Sequence, residues 1–167
     1  AQQIDRAKEN GSEALIFYGD IYDALRGQTV ASNPHIDDFA CYRNVPCHQA
    51  CIFAKELFAD KGFDLNYRIR ADYEFFLRQY YKKDISPCYT GVVVADYEGG
   101  GYSETKENRK KSALQHKEIT NHYLGKKALR YRLIMMLTLS GLRSKIAESP
   151  VLSGPYNALK TLIYKIK

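Results

Sequence analysis

The segment from residue 62 to residue 78 constrains the fold more than any other part of the chain. After Gly62 comes an irregular polar stretch, and then a helix is indicated by apolar residues at the spacing of one helical face. These residues are Tyr73, Phe76, Leu77 and Tyr80. Asp72 stands where the helix should begin, so its carboxylate either caps the helix or lies free at its tip as a candidate general base.

Short apolar runs between turn residues predict strands, and polar periodic runs predict helices. The predicted strands are residues 14–22, 49–54 (as an inner strand) and 88–96, with a hairpin turn at 26–28. The predicted helices are residues 2–10, 55–61, 103–123, 125–147 and a last helix from residue 156. Residues 31–46 contain two prolines and mixed polarity, which predicts a loop.

Four short motifs occur in a fixed order: Cys47-His48-Gln49, then Lys-Gly-Phe-Asp at 61–64, Ala-Asp-Tyr-Glu at 71–74 and Gly-Gly-Gly-Tyr-Ser at 99–103. This order resembles the bacterial family 2 glycosyltransferases, which are inverting enzymes of the GT-A fold that build surface polysaccharides. The resemblance extends from about residue 13 to about residue 118 and weakens toward the C-terminus. It implies an α/β fold: the C-terminal part of a GT-A, Rossmann-like domain, with a mixed short sheet, flanking helices and a basic helical tail.

The resemblance also implies a division of the chain and roles for its residues. Residues 1–122 would be the acceptor side of the domain, and residues 123–167 a basic amphipathic helical extension. Asp72 would be the catalytic base. The acceptor would be bound by His48, Gln49, Glu74, Gly100, Gly101 and Ser103. From the residues alone, His48 is also explained as a structural histidine, Glu74 as a capping residue and the glycines as a flexible loop.

The sequence departs from the resembling family in one large respect. The half that binds the nucleotide, with its Asp-x-Asp motif, would precede residue 1, and Asp37-Asp38 is not preceded by a strand that would make it a substitute. We therefore expect a divalent metal, Mg or Mn, and a nucleotide-diphospho-sugar donor for the full-length enzyme, and an inactive fragment. We assign no metal ligand in this chain, because its four cysteines lack the paired spacing of a zinc site.

The charge of the chain is divided unevenly. Residues 1–104 carry 11 Lys and Arg against 16 Asp and Glu, a net of −5, whereas residues 105–167 carry 14 against 3, a net of +11, which together give +6. Such asymmetry suggests that a basic region meets a polyanion or an anionic membrane. Because no nucleic-acid motif accompanies the charge, we expect no nucleic acid as partner.

The C-terminal helices combine apolar faces with cations, and no apolar run is long enough to span a bilayer. Such helices suit a cytoplasmic protein that lies on the inner face of the plasma membrane, although they could equally pack on their own domain or on the nucleotide-binding half. The sequence thus supports two main hypotheses: a fragment of a glycosyltransferase with a glycan or lipid-linked acceptor, or a non-catalytic basic module that binds a membrane or polyanion. A second rival to the enzyme is a nucleic-acid binder, whose affinity would fall steeply with salt.

Overall fold

A computed structural model of the protein describes residues 15–43, 45–98, 105–138, 146, 149 and 152–166. The strands within those residues are β1 (Ile16–Asp23), β2 (Gln28–Val30), β3 (Cys51–Phe53) and β4 (Cys88–Tyr97). The helices are α1 (Asp38–Arg43), α2 (Ala71–Lys82), α3 (Lys106–Leu124), α4 (Lys126–Leu137) and α5 (Ser153–Ile166). Single 3-10 turns lie at His48–Ala50 and Lys55–Phe58. The predicted α/β class is confirmed, while the GT-A fold stays a prediction.

Strand β1 is the centre of a mixed sheet. It pairs in parallel with β4 along one edge, and antiparallel with β3 and then β2 along the other. The first four residues of β1 are all buried, which is typical of a strand covered on both faces. Its parallel register with β4 shifts on both sides of Asp20, so the ladder is irregular next to Gly19.

The predicted hairpin turn joins β1 to β2. Gly27 adopts a φ of 62°, which a glycine accepts without the steric cost that a side chain would add. Asp23 accepts hydrogen bonds from the backbone N–H of Arg26, at 3.1 Å, and from its guanidinium, at 2.6 Å. These contacts close the turn beside a buried carboxylate.

Helix α2 forms the core of the molecule. It contains no β-branched residue, and every residue from Tyr73 to Gln79 is buried. The predicted stripe therefore underestimates the buried surface: Phe75, outside that stripe, stacks on Phe58 with ring centroids 4.7 Å apart. The helix ends where Asp84 takes a φ of 53°, in the left-handed region that commonly follows a helix C-terminus. A helix buried around its whole circumference holds its N-terminus in a fixed position.

Several predictions about local structure were wrong. Residues 31–46 are not all loop, because α1 begins after Asp37, whose carboxylate accepts a 2.7 Å hydrogen bond from the N–H of Ala40 as an N-cap does. The strand predicted at 49–54 is reduced to β3, and among the described residues it pairs with β1 alone and is not an inner strand. The helix predicted at 55–61 is only a 3-10 turn. The helix predicted at 2–10 lies outside the described residues.

The three C-terminal helices pack on the rest of the protein. Helix α3 begins at the N-cap Thr105 and ends before Gly125, and α4 lies against α1 and α3. Helix α5 packs against β2. The predicted domain boundary at residues 122 and 123 falls inside α3, two residues before that helix ends, and the division into two parts stays a prediction.

Candidate active site at the start of helix α2

The structure brings His48 and Asp72 together. Nδ1 of His48 lies 3.2 Å from Oδ2 of Asp72, which makes an ion pair when the imidazole is protonated. The side chain of His48 is 56% exposed and that of Asp72 is 40% exposed, so both remain open to an incoming molecule. A reacting hydroxyl could therefore reach the carboxylate without a rearrangement of the core.

Asp72 does not occupy the N-cap position of α2. Arg70 takes that position and makes no side-chain cap, and Asp72 is the second residue of the helix. Its Oδ1 accepts a 2.8 Å hydrogen bond from the N–H of Tyr73. Unpaired N–H groups and the helix dipole favour a negative charge at this end of a helix. The hydrogen bond from Tyr73 orients the carboxylate and leaves lone pairs free on both oxygens.

Helix α3 holds the segment that leads into Asp72. Oε1 of Gln115 accepts hydrogen bonds of 3.2 Å from the N–H groups of Ile69 and Arg70. The Nε of Arg70 donates a 2.8 Å hydrogen bond to Oγ of Ser112. Gln115 and Ser112 therefore position the site. Neither residue is predictable from the sequence, because polar residues on a polar helix carry no signal that separates a positioning role from a solvated face.

Tyr73 connects the site to two further elements. Its hydroxyl donates a 2.6 Å hydrogen bond to the carbonyl oxygen of Cys41 in α1, and its ring stacks on His116 of α3 at a centroid distance of 5.3 Å. His116 in turn lies 2.7 Å, through Nε2, from the carbonyl oxygen of Tyr42. Burial is the main cause that lowers the pKa of His116, so the ring packs there in its neutral form.

The side chain of Cys51 lies near Asp72 and Cys47. The Sγ of Cys51 is 3.3 Å from the carbonyl oxygen of Cys47. Burial, with the negative surroundings of Cys47 and Asp72, raises the pKa of Cys51 to about 12. This thiol therefore stays protonated and is a poor nucleophile or metal ligand. Among the described residues, no group of three or more His, Cys, Asp or Glu side chains could hold a metal ion.

A cleft of about 430 Å³ reaches Cys47 but is lined by neither His48 nor Asp72. Cys47, the neighbour of His48 in the chain, lines the cleft, together with the 30–37 segment, α1 and two residues of α5. One of these is Lys160, whose Nζ donates a 2.6 Å hydrogen bond to the carbonyl oxygen of Ala31, and burial lowers its pKa. Arg43 adds a second cation to the lining. The cleft is large enough for a sugar and offers it polar and charged contacts.

The other predicted site residues lie elsewhere or outside the described part of the chain. Gln49 is exposed in the 3-10 turn next to His48. Gly100, Gly101 and Ser103 are outside the described residues. Glu74 is buried and its side chain contacts Tyr123 and Arg78, and its role in acceptor binding stays a prediction.

Glu74 belongs to a buried polar network. Its Oε1 accepts a 2.6 Å hydrogen bond from the hydroxyl of Tyr123, and its Oε2 lies 3.7 Å from Nη2 of Arg78. That same Nη2 donates a 2.6 Å hydrogen bond to the carbonyl oxygen of Gly62. Burial and the bond to Glu74 raise the pKa of Tyr123. The network connects α2 with α3 and with the segment before Asp72.

Part of the sequence is similar to known glycosyltransferases. Over 92 residues, 54% of this chain, it is 34% identical to a PGL/p-HBAD biosynthesis glycosyltransferase of Mycobacterium bovis, and equally to a glycosyltransferase of the same name from Mycobacterium tuberculosis. The match covers 36% of those proteins, so the chain spans about a third of the length of the curated relatives it matches. The matched segment is thus similar to part of a glycosyltransferase.

The other comparisons found no relatives. No protein-family model matches the sequence, and no solved structure matches it. In the part of the chain that the structure describes, no helix is both long enough and apolar enough to cross a membrane.

Proposed function

We propose that this chain is the acceptor side of an inverting, family 2 glycosyltransferase of the GT-A fold, with Asp72 as the general base. It would transfer a sugar, of the hexosyl type, from a nucleotide-diphospho-sugar to a glycan or lipid-linked acceptor in the biosynthesis of cell-surface polysaccharide. The observation that carries the proposal is the contact of 3.2 Å between His48 and Asp72, both of which are exposed. The similarity to named glycosyltransferases supports the same reaction class.

The proposed reaction is a single displacement. The proton of an acceptor hydroxyl moves to a carboxylate oxygen of Asp72 while the hydroxyl oxygen attacks the anomeric carbon of the donor sugar. The bond from that carbon to the diphosphate oxygen breaks, the nucleoside diphosphate leaves with the bonding electrons, and the anomeric configuration inverts. A carboxylate suffices as base because the proton moves only as the new bond forms.

The surrounding residues would position the acceptor. Nδ1 of His48 orients the Asp72 carboxylate. Nε2 of His48 and the exposed side chain of Gln49 would bind sugar hydroxyls. The cleft lined by Lys160 and Arg43 would hold the acceptor. The family resemblance also implies acceptor contacts for Gly100, Gly101 and Ser103, which lie outside the described residues.

The donor half of the reaction belongs to sequence outside these 167 residues in this proposal. The metal ion expected there, Mg or Mn, has no set of ligands among the described residues, and no step above uses it. We place the protein in the cytoplasm, with the inner face of the plasma membrane as a possible partner and without nucleic acid.

The proposal is tested on the full-length protein that contains this sequence. A panel of nucleotide-diphospho-sugars is screened for sugar transfer, and kcat is compared between the parent and Asp72→Asn. We expect kcat to fall by about 10²–10⁴, the usual contribution of a general base, with an unchanged thermal melt. Asp60→Asn removes a carboxylate with a 73% exposed side chain elsewhere and should keep the parent kcat. An Asp72→Asn enzyme that retains full activity would reject the base assignment.

The second candidate is a non-catalytic module that binds a membrane or polyanion. The net charge of +11 over residues 105–167 favours it. A full-length protein that transfers no sugar from any donor in the panel, yet binds anionic surfaces, would favour this candidate over the enzyme.

A further inference from the structure

Helix α4 exposes apolar side chains along one face. Leu129, Leu133 and Met136 recur at a helical spacing and are 62%, 52% and 68% exposed. Leu137 extends this face at 82%, and Leu114 of α3 stands beside it at 64%. These five residues form what we call the α4 ridge. A soluble surface rarely presents so many large apolar side chains together unless something covers them.

The opposite face of α4 packs against the rest of the protein. Ala128 is buried, and the ring of Tyr131 packs on Phe39 and Tyr42 with centroids 5.3 and 5.7 Å away. Nζ of Lys127 lies 2.5 Å from Oδ2 of Asp38. The helix therefore cannot rotate to bury the ridge without losing these contacts.

Cations accompany the ridge. A cleft of about 610 Å³ between α3 and α4 is lined by Lys110, Lys117 and Arg132, and contains no carboxylate among the described residues that line it. None of the ion pairs between described residues involves these three cations. The acidic residues of α3 are engaged elsewhere: Glu107 pairs with Lys111, and Glu118 accepts a hydrogen bond from Tyr67.

We propose that the α4 ridge and the cations of this cleft form a docking surface for an anionic lipid bilayer. The ridge enters the boundary between headgroups and acyl chains, and Lys110, Lys117 and Arg132 bind the lipid phosphates. Charge complementarity selects this partner, because α4 has no acidic residue and, besides the paired Lys127, three basic residues next to its apolar face: Lys126, Arg130 and Arg132. At about 1.5 Å per residue, the helix is too short to cross the bilayer and lies along its surface.

Vesicle flotation tests whether the cations contribute to membrane binding. The protein is mixed with phosphatidylcholine vesicles that contain 30 mol% phosphatidylglycerol, or none, at low and high salt. We expect binding only to the anionic vesicles. The double variant Lys110→Gln/Arg132→Gln should weaken it by about tenfold to thirtyfold, from the usual contribution of two cations near a charged membrane. Lys55→Gln/Arg68→Gln, which also removes one exposed Lys and one exposed Arg, should bind like the parent.

A fluorescent reporter tests whether the α4 ridge enters the bilayer. The chain contains no tryptophan, so a single substitution reports on one position. Leu133→Trp should shift its emission to the blue with anionic vesicles and be quenched by brominated acyl chains. Leu65→Trp, at a site that is 85% exposed and outside the ridge, should show neither effect.

Four results would overturn the proposal. Binding that is equal on neutral and anionic vesicles, or equal in the parent and the cation variant, would exclude electrostatic docking. The third outcome is a parent protein that is oligomeric and does not bind vesicles. If the ridge variant Leu133→Ser/Met136→Ser then makes that protein monomeric, the ridge is a contact between two copies of the chain. Tighter binding to single-stranded DNA than to vesicles, unaffected by the ridge variant, would assign the cations to nucleic acid.

Discussion

Gly19 lies so close to Val92 that a Cβ added to the glycine would stand 2.3 Å from the Val92 carbonyl oxygen. The same atom would meet Cγ2 of Val94 at 2.5 Å and Oγ1 of Thr90 at 2.9 Å. The irregular parallel pairing of β1 with β4 therefore depends on the absence of a side chain at this position.

Replacement of Gly19 should destabilise the sheet. We expect Gly19→Ala to lower the free energy of unfolding by at least about 2 kcal/mol, because the obstacle is backbone of a paired strand that cannot move aside. Urea denaturation measures the change. Gly62→Ala is the control, since a Cβ there meets nothing within 4 Å, and it should stay within about 0.5 kcal/mol of the parent.

The buried pair of Glu74 and Arg78 gives a second prediction. Nε and Nη1 of Arg78 and Oε2 of Glu74 are buried without a hydrogen-bond partner among the described residues. Arg78→Met leaves the carboxylate uncompensated and should cost about 3 kcal/mol in urea denaturation. Glu74→Gln/Arg78→Met should recover a large part of that loss.

The recovered double variant also tests the predicted role of Glu74. If Glu74 acts only through this network, the double variant in the full-length enzyme should keep the parent KM for the acceptor. A higher KM in a variant of restored stability would instead support acceptor binding by Glu74.

His48 should influence turnover through Asp72. We expect His48→Ala to lower kcat on the order of tenfold to hundredfold, less than Asp72→Asn, because it misorients the base without removing it. Steady-state kinetics of the full-length enzyme measure the effect. If His48→Ala adds a further loss to Asp72→Asn, His48 also acts independently of the carboxylate.

The buried His116 predicts a pH dependence of stability. Its pKa is lowered from 6.5 in the folded state, so the unfolded chain binds more protons between the two pKa values. The free energy of unfolding should therefore fall as the pH drops below about 6.5, by at most about 1.4 kcal/mol per pH unit for this one proton. His116→Gln should flatten the profile between pH 7.5 and 5.5. An unchanged slope would assign the acid sensitivity to other groups.

Helix α2, strands β1 and β4 and the hairpin turn are correctly predicted because each depends on local periodicity and turn chemistry. Helix α1 was missed because it is only six residues long and lies between prolines. The inner-strand prediction for 49–54 was wrong because an apolar run does not specify its neighbours, and Ile52 is 44% exposed at the sheet edge. Local patterns therefore give the elements but not their place in the sheet.

In the candidate site, too, local patterns predict where a residue lies in its element but not which residues it contacts. The position of Asp72 at the start of a helix follows from periodicity, whereas its pairing with His48 is a tertiary contact that no spacing encodes. The family resemblance placed both residues in one pocket. The support from Gln115 and Ser112 could not be predicted, because a side chain on a polar helix reveals its partner only when the fold is known.

The parallel pairing of β1 with β4 has a consequence for how the chain folds. A parallel neighbour cannot be joined by a tight turn, and here α1, β3 and α2 all intervene between the two strands. During synthesis, one edge of β1 therefore remains unpaired until the ribosome has released β4. Such long-range pairing predicts slow folding and a period in which nascent chains are prone to aggregate through that edge.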